Sequence, residues 1–150
     1  MKCRAAADCL HFPGIYGIIE SVRKTACGNE VTERVAEQLI VDLYGCAPEL
    51  LDDPEFVQSA ARAAVQAVGA EIVEECMHRF EPIGISYIAV ITTSHFSIHT
   101  WPEYGYAAVD IFSCSAGVPQ ETASALGDAF GASECRIRRI ERDLKGEAKN

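Results

Sequence analysis

The sequence predicts an α+β fold, in which an antiparallel sheet and two helices form a two-layer sandwich with both helices on one face. Three observations support this prediction. Segments with strand-like alternation follow one another across short turns, only two later segments show helical spacing, and strands flank each of these helices. From residue 38 the order is β-α-β-β and then β-β-α-β, so the two halves mirror each other loosely. The second sheet face needs a cover, either a partner subunit or the N-terminal segment.

The first strand follows an N-terminal extension of uncertain structure, residues 1–36. Within and just beyond this extension, weak helical patterns cover residues 15–26 and 31–37. Residues 39–44 then alternate and are rich in strand formers, and Gly45 follows them. We therefore place the first strand at 39–44.

The first helix after this strand has clear signals at both ends. Asp52 or Asp53 caps it, Pro54 lies in its first turn, and Gly69 follows its end near Val68. The apolar residues that recur at helical spacing are Phe56, Ala60, Ala63, Ala64 and Ala67.

Two strands come next, at residues 71–80 and 85–92, with Pro82 and Gly84 in the turn between them. The second, ISYIAVIT, is the most apolar strand of the chain. Because a strand that is buried on both faces has this composition, we expect it at the centre of the sheet.

The C-terminal half repeats the order of elements. Its segments are strands 94–100 and 106–113 around a WPEYG turn, a helix from Pro119 to about Gly131, and a strand at 135–142. We assign the domain to residues 37–144 and treat residues 145–150 as a polar tail.

Charge and hydropathy exclude several classes of function. The chain has 22 acidic and 13 basic residues and a formal net charge of −9, whereas nucleic-acid binding needs clustered Lys and Arg. The apolar stretch 10–19 is interrupted by Pro13 and Gly14, and it falls far short of the ~20 residues that span a bilayer. We therefore expect a cytoplasmic protein that binds neither nucleic acid nor membrane.

The chain has seven cysteines, an odd number, without a CxxC pair. This spacing indicates neither a zinc site nor a disulfide framework. We expect free thiols in a reducing compartment, each of them by default a small buried residue.

The stretch with the highest density of potentially reactive side chains is TSHFSIHTWPE, residues 93–103. In a strand, alternate residues share a face. One face of this segment therefore carries His95, Ser97 and His99, and the other carries Phe96 and Ile98. Two histidines and a hydroxyl on one strand face indicate either a solvated face near a turn or a reactive site.

The run SHFSIHTWPEYGYAAVDIFSC, residues 94–114, resembles the signature of prokaryotic S-adenosylmethionine decarboxylases, which depend on a pyruvoyl group. The resemblance extends upstream through HRF, Pro82, GIS and Cys46, over roughly residues 38–142. It implies a proenzyme that cuts itself between Thr93 and Ser94 into pieces of 93 and 57 residues.

The resemblance further implies that Ser94 becomes the pyruvoyl cofactor. The pyruvoyl carbonyl forms a Schiff base with the substrate amine and acts as an electron sink while CO₂ leaves. The product is the aminopropyl donor for spermidine synthesis.

Roles for other residues are also implied by position in this signature. His99 matches the base in processing, Ser86 the hydrogen-bond donor to the oxyanion of the acyl shift, and Cys114 the acid that reprotonates the substrate carbon. Phe80 matches the ring that stacks on adenine, and Glu103 the acid that binds the ribose hydroxyls.

Three more residues of the signature receive no catalytic role. His95 and Ser97 are expected to support the site, and Trp101 to shape the turn and the pocket. The resemblance also implies homodimers of processed protomers, whose sites draw on both chains. The apolar strand residues expected at that contact are Ala107, Val109, Ile111 and Phe112.

Two departures from the family pattern leave alternatives open. Thr93 stands where the family usually has Glu, and Ala36-Glu37-Gln38 stands where it tends to have Gly-x-His. The alternatives are the same chemistry on arginine or ornithine, and an unprocessed homologue that binds a nucleoside or a partner. Phe80 and Glu103 favour S-adenosylmethionine, because arginine and ornithine have neither a base nor a ribose.

Overall fold

A six-stranded antiparallel sheet forms one layer of the protein. The computed structural model describes residues 35–115 and 117–143. The strands lie in the order β2-β3-β4-β5-β1-β6. Their bounds are β1 Val35–Tyr44, β2 Ile72–Arg79, β3 Ile85–Ile91, β4 Ser94–Trp101, β5 Tyr106–Ser113 and β6 Glu134–Asp143.

Helices cover one face of this sheet and form the second layer, which confirms the predicted α+β sandwich. They are α1 (Pro48–Leu51), α2 (Pro54–Ala67) and α3 (Gln120–Ala129). The cap of α2 is Asp53, whose carboxylate accepts hydrogen bonds from the backbone N–H groups of the first turn. The short helix α1 was not predicted from the sequence, although its first residue is Pro48 and proline suits a first helical turn.

The core lies between the helices and alternate residues of the inner strands. Phe56 of α2 and Phe130 at the end of α3 meet edge to face, with ring centroids 5.3 Å apart. The sheet contributes Leu39, Val41, Leu43, Tyr87, Phe96, Ile98, Val109 and Ile111. Full burial of each aliphatic side chain contributes about 1.5–3 kcal/mol.

No helix in the described ranges covers the opposite side of the sheet, which we call the open face. Ile88 and Val90 of β3 are each 50% exposed there. The subunit-contact prediction for Ala107, Val109 and Ile111 is wrong, because these side chains are fully buried in the core. The fourth residue expected at that contact, Phe112, does belong to the open face, because neighbouring positions in a strand point to opposite faces.

Other local predictions need correction. The apolar strand β3 lies beside the edge strand β2, so β4 and β5 form the centre of the sheet. Residues 35–37, expected to end a helix, belong to β1, while the predicted helix at 15–26 lies outside the described residues.

The cysteines do not all pack as expected. Cys46 is buried as predicted, but Cys76 and Cys135 are exposed and therefore contradict the prediction. The remaining three, outside the described residues, are Cys3, Cys9 and Cys27. None of the helices in the described part of the chain is long and apolar enough to cross a membrane.

Candidate active site

The predicted cleavage site lies in the tight turn between β3 and β4. Ile91 and Ser94 form the last pair of this ladder, so the loop consists of Thr92 and Thr93. Two-residue hairpin loops favour residues that adopt positive φ, usually Gly or Asn, and β-branched residues suit them poorly.

The backbone is strained at the residue that follows the loop. Ser94 has φ 145°, and it is the one non-glycine residue with positive φ within residues 35–115 and 117–143. Side chains of L-residues rarely tolerate such an angle, which costs about 1–3 kcal/mol. The strain therefore falls on the residue that the sequence predicts to react.

Hydrogen bonds hold the chain on the N-terminal side of this residue. The Thr92 N–H donates to the Glu71 carbonyl oxygen at 2.9 Å, and the Glu71 N–H donates to Thr92 Oγ1 at 3.1 Å. The Cys114 N–H donates to the Thr93 carbonyl oxygen at 2.8 Å. The Thr93 carbonyl, which forms the peptide bond to Ser94, is thus both fixed and polarised by a backbone donor.

Cys114 reaches this carbonyl because it directly follows β5. The preceding residue, Ser113, pairs with Ser94 in the ladder between β5 and β4. The Cys114 residue itself is exposed. We call Thr93, Ser94 and Cys114 the scissile cluster.

An ion pair holds the loop beyond Cys114. The Val118 N–H donates to Glu37 Oε2 at 2.9 Å, and Arg139 Nη2 donates to the Val118 carbonyl oxygen at 2.7 Å. Glu37 and Arg139 also form a salt bridge with each other. Both backbone groups of Val118 are therefore held by one charged pair, and Glu37 belongs to the segment that departs from the family pattern.

A second group of predicted residues lies on the open face. Ser86 Oγ and His99 Nδ1 are 2.7 Å apart and share a hydrogen bond, since the two residues pair directly between β3 and β4. We call them the Ser–His pair. This bond orients the imidazole and leaves its Nε2 for proton transfer.

The Ser–His pair and the scissile cluster do not meet within one chain. His99 lies five residues beyond Ser94 on the same strand. At a rise of ~3.4 Å per residue, the two positions are about 17 Å apart along β4. The structure therefore separates the residues that the resemblance groups together.

The two predicted substrate-binding residues lie at the end of the sheet that holds the Ser–His pair. Phe80 lies in the β2–β3 turn and is 47% exposed, and Glu103 lies, exposed, in the 3-10 turn Pro102–Tyr104 after β4. The two turns are adjacent. Gly84, in the turn of Phe80, lies so close to the strand before Glu103 that a Cβ on it would approach the Thr100 carbonyl oxygen to 3.0 Å. Glycine is also required there by φ 106°.

The neighbouring residues of the signature have clear surroundings. His95 is exposed, with its ring centroid 5.5 Å from that of Phe112. Ser97 is buried on the open-face side of β4, and the Trp101 ring lies 5.3 Å from the Tyr106 ring. No three His, Cys, Asp or Glu side chains among residues 35–115 and 117–143 come together as a metal-binding group.

Sequence reasoning missed the residues that support both groups. Glu37 and Arg139 lie 102 positions apart, and Asp52 reaches Gly84 across 32 positions. No local pattern signals contacts over such separations, although opposite charges on adjacent strands are a weak indication.

Comparison with a solved structure supports the architecture. The crystal structure of the adenosylmethionine decarboxylase from Aquifex aeolicus VF5 matches with a TM-score of 0.69 and 24% sequence identity. The match covers 79% of this chain and 99% of that chain. At this identity the similarity shows the fold.

Sequence comparisons show the family. The S-adenosylmethionine decarboxylase family model matches residues 37–143. The S-adenosylmethionine decarboxylase proenzyme of Moorella thermoacetica is 41% identical over 73% of this chain and 89% of that protein. The proenzymes of Pseudomonas aeruginosa and Acidithiobacillus ferrooxidans are 36% and 38% identical, over 75% and 72% of this chain and 71% and 82% of theirs. This chain belongs to the S-adenosylmethionine decarboxylase family.

Proposed function

We propose that this chain is a proenzyme that cleaves itself between Thr93 and Ser94 and decarboxylates S-adenosylmethionine with the pyruvoyl group formed from Ser94. The observation that carries the proposal is the strained turn, in which Ser94 has φ 145° and the preceding carbonyl accepts from the Cys114 N–H. The family and the names of its proenzyme members support the substrate, and they do not favour arginine or ornithine.

The cleavage can be written as two steps on the chain's own atoms. Ser94 Oγ attacks the Thr93 carbonyl carbon, the C–N bond breaks, and the hydroxyl proton passes to the released amine. The Cys114 N–H donates to the oxyanion that forms in this acyl shift. Rupture of the peptide bond also releases the strain at Ser94, which favours the ester.

The second step removes the α-proton of residue 94. The electron pair expels the ester oxygen as the carboxylate of Thr93 and leaves a dehydroalanine, which takes up one water and loses ammonia to give a pyruvoyl group. A base must take up this proton, and His99 is the expected residue. Within one chain, however, His99 is about 17 Å away along the strand.

We therefore propose that a second copy of the chain supplies the Ser–His pair. Closed dimers commonly have a two-fold axis, and an axis that runs across the strands places opposite ends of the same face together. Two open faces packed in this way bring the end of the sheet that carries the scissile cluster of one copy toward the Ser–His pair of the other. The half-exposed side chains of Ile88 and Val90 support this contact, because assembly would remove their apolar surface from water.

The same arrangement assigns the groups that act on the substrate. The pyruvoyl group supplies an electrophilic carbonyl that accepts electrons as CO₂ leaves. Cys114, beside the ladder partner of Ser94, returns a proton to the substrate carbon. Phe80 and Glu103 of the other copy hold the base and the ribose, and the net charge of −9 suits a cationic substrate.

We also infer a reducing, cytoplasmic environment. Its support is the set of cysteines in the described residues, which are free thiols at Cys46, Cys76, Cys114 and Cys135.

Mass spectrometry of the purified chain tests the cleavage. We expect pieces of 93 and 57 residues, with a borohydride-reducible carbonyl at the start of the second piece. Ser94→Ala should stay intact, whereas Ser59→Ala, the same change at an exposed position of α2, should cleave. A wild-type chain that remains whole after long incubation contradicts the proposal and favours an unprocessed binding protein.

Release of CO₂ from each candidate substrate tests the specificity. We expect release from S-adenosylmethionine and none from arginine or ornithine. Release from either amino acid by the cleaved chain contradicts the assigned substrate.

A further inference from the structure

We propose that Asp52 is a positioning residue for recognition of the substrate's adenine, because its carboxylate fixes the turn that carries Phe80. The inference rests on the proposed function, in which the Phe80 ring stacks on the base. It adds a residue outside the signature, on the short helix that the sequence did not predict.

The carboxylate of Asp52 binds the turn on both sides of Phe80. Asp52 Oδ2 accepts from Arg79 Nη2 at 2.7 Å, and Asp52 Oδ1 accepts from the Gly84 N–H at 3.0 Å. The Phe80 N–H in turn donates to the Gly84 carbonyl oxygen at 2.8 Å. Phe80 therefore stands between two residues that share one anchor.

That anchor is itself fixed to the centre of the sheet. Asp52 caps the end of α1, and its N–H donates to the Pro48 carbonyl oxygen at 3.2 Å. The preceding carbonyl, of Leu51, accepts from Thr100 Oγ1 at 2.8 Å, and this buried hydroxyl also accepts from the Ile85 N–H. Helix α1 thus connects the turn of Phe80 to the strand that leads to the Glu103 turn.

The turn has little other packing to hold it. Phe80 is half-exposed, and the residues from 81 to 83 are exposed as well. The His78 ring lies 4.7 Å from the Phe80 ring, but His78 is itself exposed. The direction of the Phe80 ring therefore depends on the polar anchor more than on burial.

Two further observations separate the role of the Asp52 carboxylate from the helix cap that its backbone N–H provides at the end of α1. The cap of α2 is the adjacent Asp53, so Asp52 is not needed for that role. The Gly84 N–H, together with the Arg79 guanidinium, holds the pKa of Asp52 below its usual range, so the anchor keeps its charge at neutral pH.

The test compares Asp52→Ala and Asp52→Asn with Asp53→Asn, a matched change at the neighbouring position. Asp52→Ala removes both acceptors, and Asp52→Asn removes the charge but keeps one acceptor. We expect both Asp52 variants to cleave normally. Their KM for S-adenosylmethionine should rise about five- to tenfold for Ala and less for Asn, with kcat nearly unchanged, because base stacking contributes about that much to affinity.

Equilibrium binding gives a readout that does not depend on turnover. The probe is 5′-methylthioadenosine, a nucleoside without a reactive amine, titrated calorimetrically. We expect its affinity to fall in parallel with KM for the Asp52 variants and to stay unchanged for Asp53→Asn. In a Phe80→Leu background the Asp52 variants should cause no further loss.

The outcomes separate the two proposals. A wild-type chain that does not cleave or does not decarboxylate S-adenosylmethionine overturns the proposed function. An active wild type with unchanged nucleoside affinity in the Asp52 variants overturns this inference alone, as does a full additional loss in the Phe80→Leu background. If Asp52→Ala does not fold, Asp52→Asn carries the test.

Discussion

Co-expression of two inactive variants tests the separation of the site into two halves. Ser94→Ala removes the serine that we propose becomes the cofactor but keeps the Ser–His pair. His99→Ala removes the proposed base but keeps the scissile cluster. Because the two positions lie about 17 Å apart along β4, neither chain holds a complete site by itself.

The expected amount of cleavage follows from the geometry of a two-fold dimer. Random assembly makes about half of the dimers mixed, and a mixed dimer has one complete site out of two. The intact Ser94 then belongs to the His99→Ala chain, so about half of those chains should be cut. The Ser94→Ala chains should remain whole, which limits cleavage to about a quarter of all chains.

Affinity tags of different mass on the two variants make the result readable. The fraction of each chain that is cleaved is measured by intact mass spectrometry after co-purification, with each variant expressed alone as the control. Cleavage of the His99→Ala chain when it is expressed alone refutes the reasoning. Mixed dimers that form but do not cleave refute it as well.

Three other predictions address the surroundings of the site. Arg62, through its hydrogen bond, holds the pKa of Glu75 below its usual range, so the stability this carboxylate contributes is present at neutral pH and is lost as the pH falls through that lowered value. Glu75→Gln should therefore cost about 1 kcal/mol in urea unfolding at pH 7, and this cost should shrink steadily as the pH falls below the usual range of a glutamate carboxyl. Burial raises the pKa of the Cys46 thiol to about 11, so iodoacetamide at neutral pH should label Cys114 and leave Cys46 unmodified in peptide mapping. Arg139→Gln should slow cleavage several-fold in the mass assay, because it releases the loop beyond Cys114, and an unchanged rate would contradict that role.

Much of the fold could be predicted because local signals agree with the tertiary structure. From residue 38 onward the order of the strands and of the two longer helices is confirmed, as are the turn at Gly105 and the helix that begins at Pro54. Gly105 takes φ 57°, which explains why a glycine ends the 3-10 turn. The family and the decarboxylase class are also confirmed, because the signature is long and specific.

The sequence does not distinguish between alternatives that are locally equivalent, such as two adjacent aspartates or the two faces of one strand. Asp52 and Asp53 have the same side chain, and only the direction of each carboxylate shows that one caps a helix and the other anchors a turn. Likewise, alternation in β5 predicts two faces but does not say which one meets the helices. Both choices depend on contacts between distant elements, and local propensity carries little information about them.

The strained turn gives a physical reason why Thr93 is compatible with cleavage. In the proposed cleavage the bond that breaks belongs to the backbone, and the groups proposed to act on it are the Ser94 hydroxyl and the Cys114 N–H, which donates to the Thr93 carbonyl oxygen. The side chain of residue 93 need not donate or accept in that step. Two β-branched residues in a two-residue loop instead stiffen it, because their χ1 and φ ranges are narrow. A stiff loop does not itself adopt the positive φ angles that a two-residue hairpin favours. The distortion then lies at the next residue, Ser94, whose φ is positive.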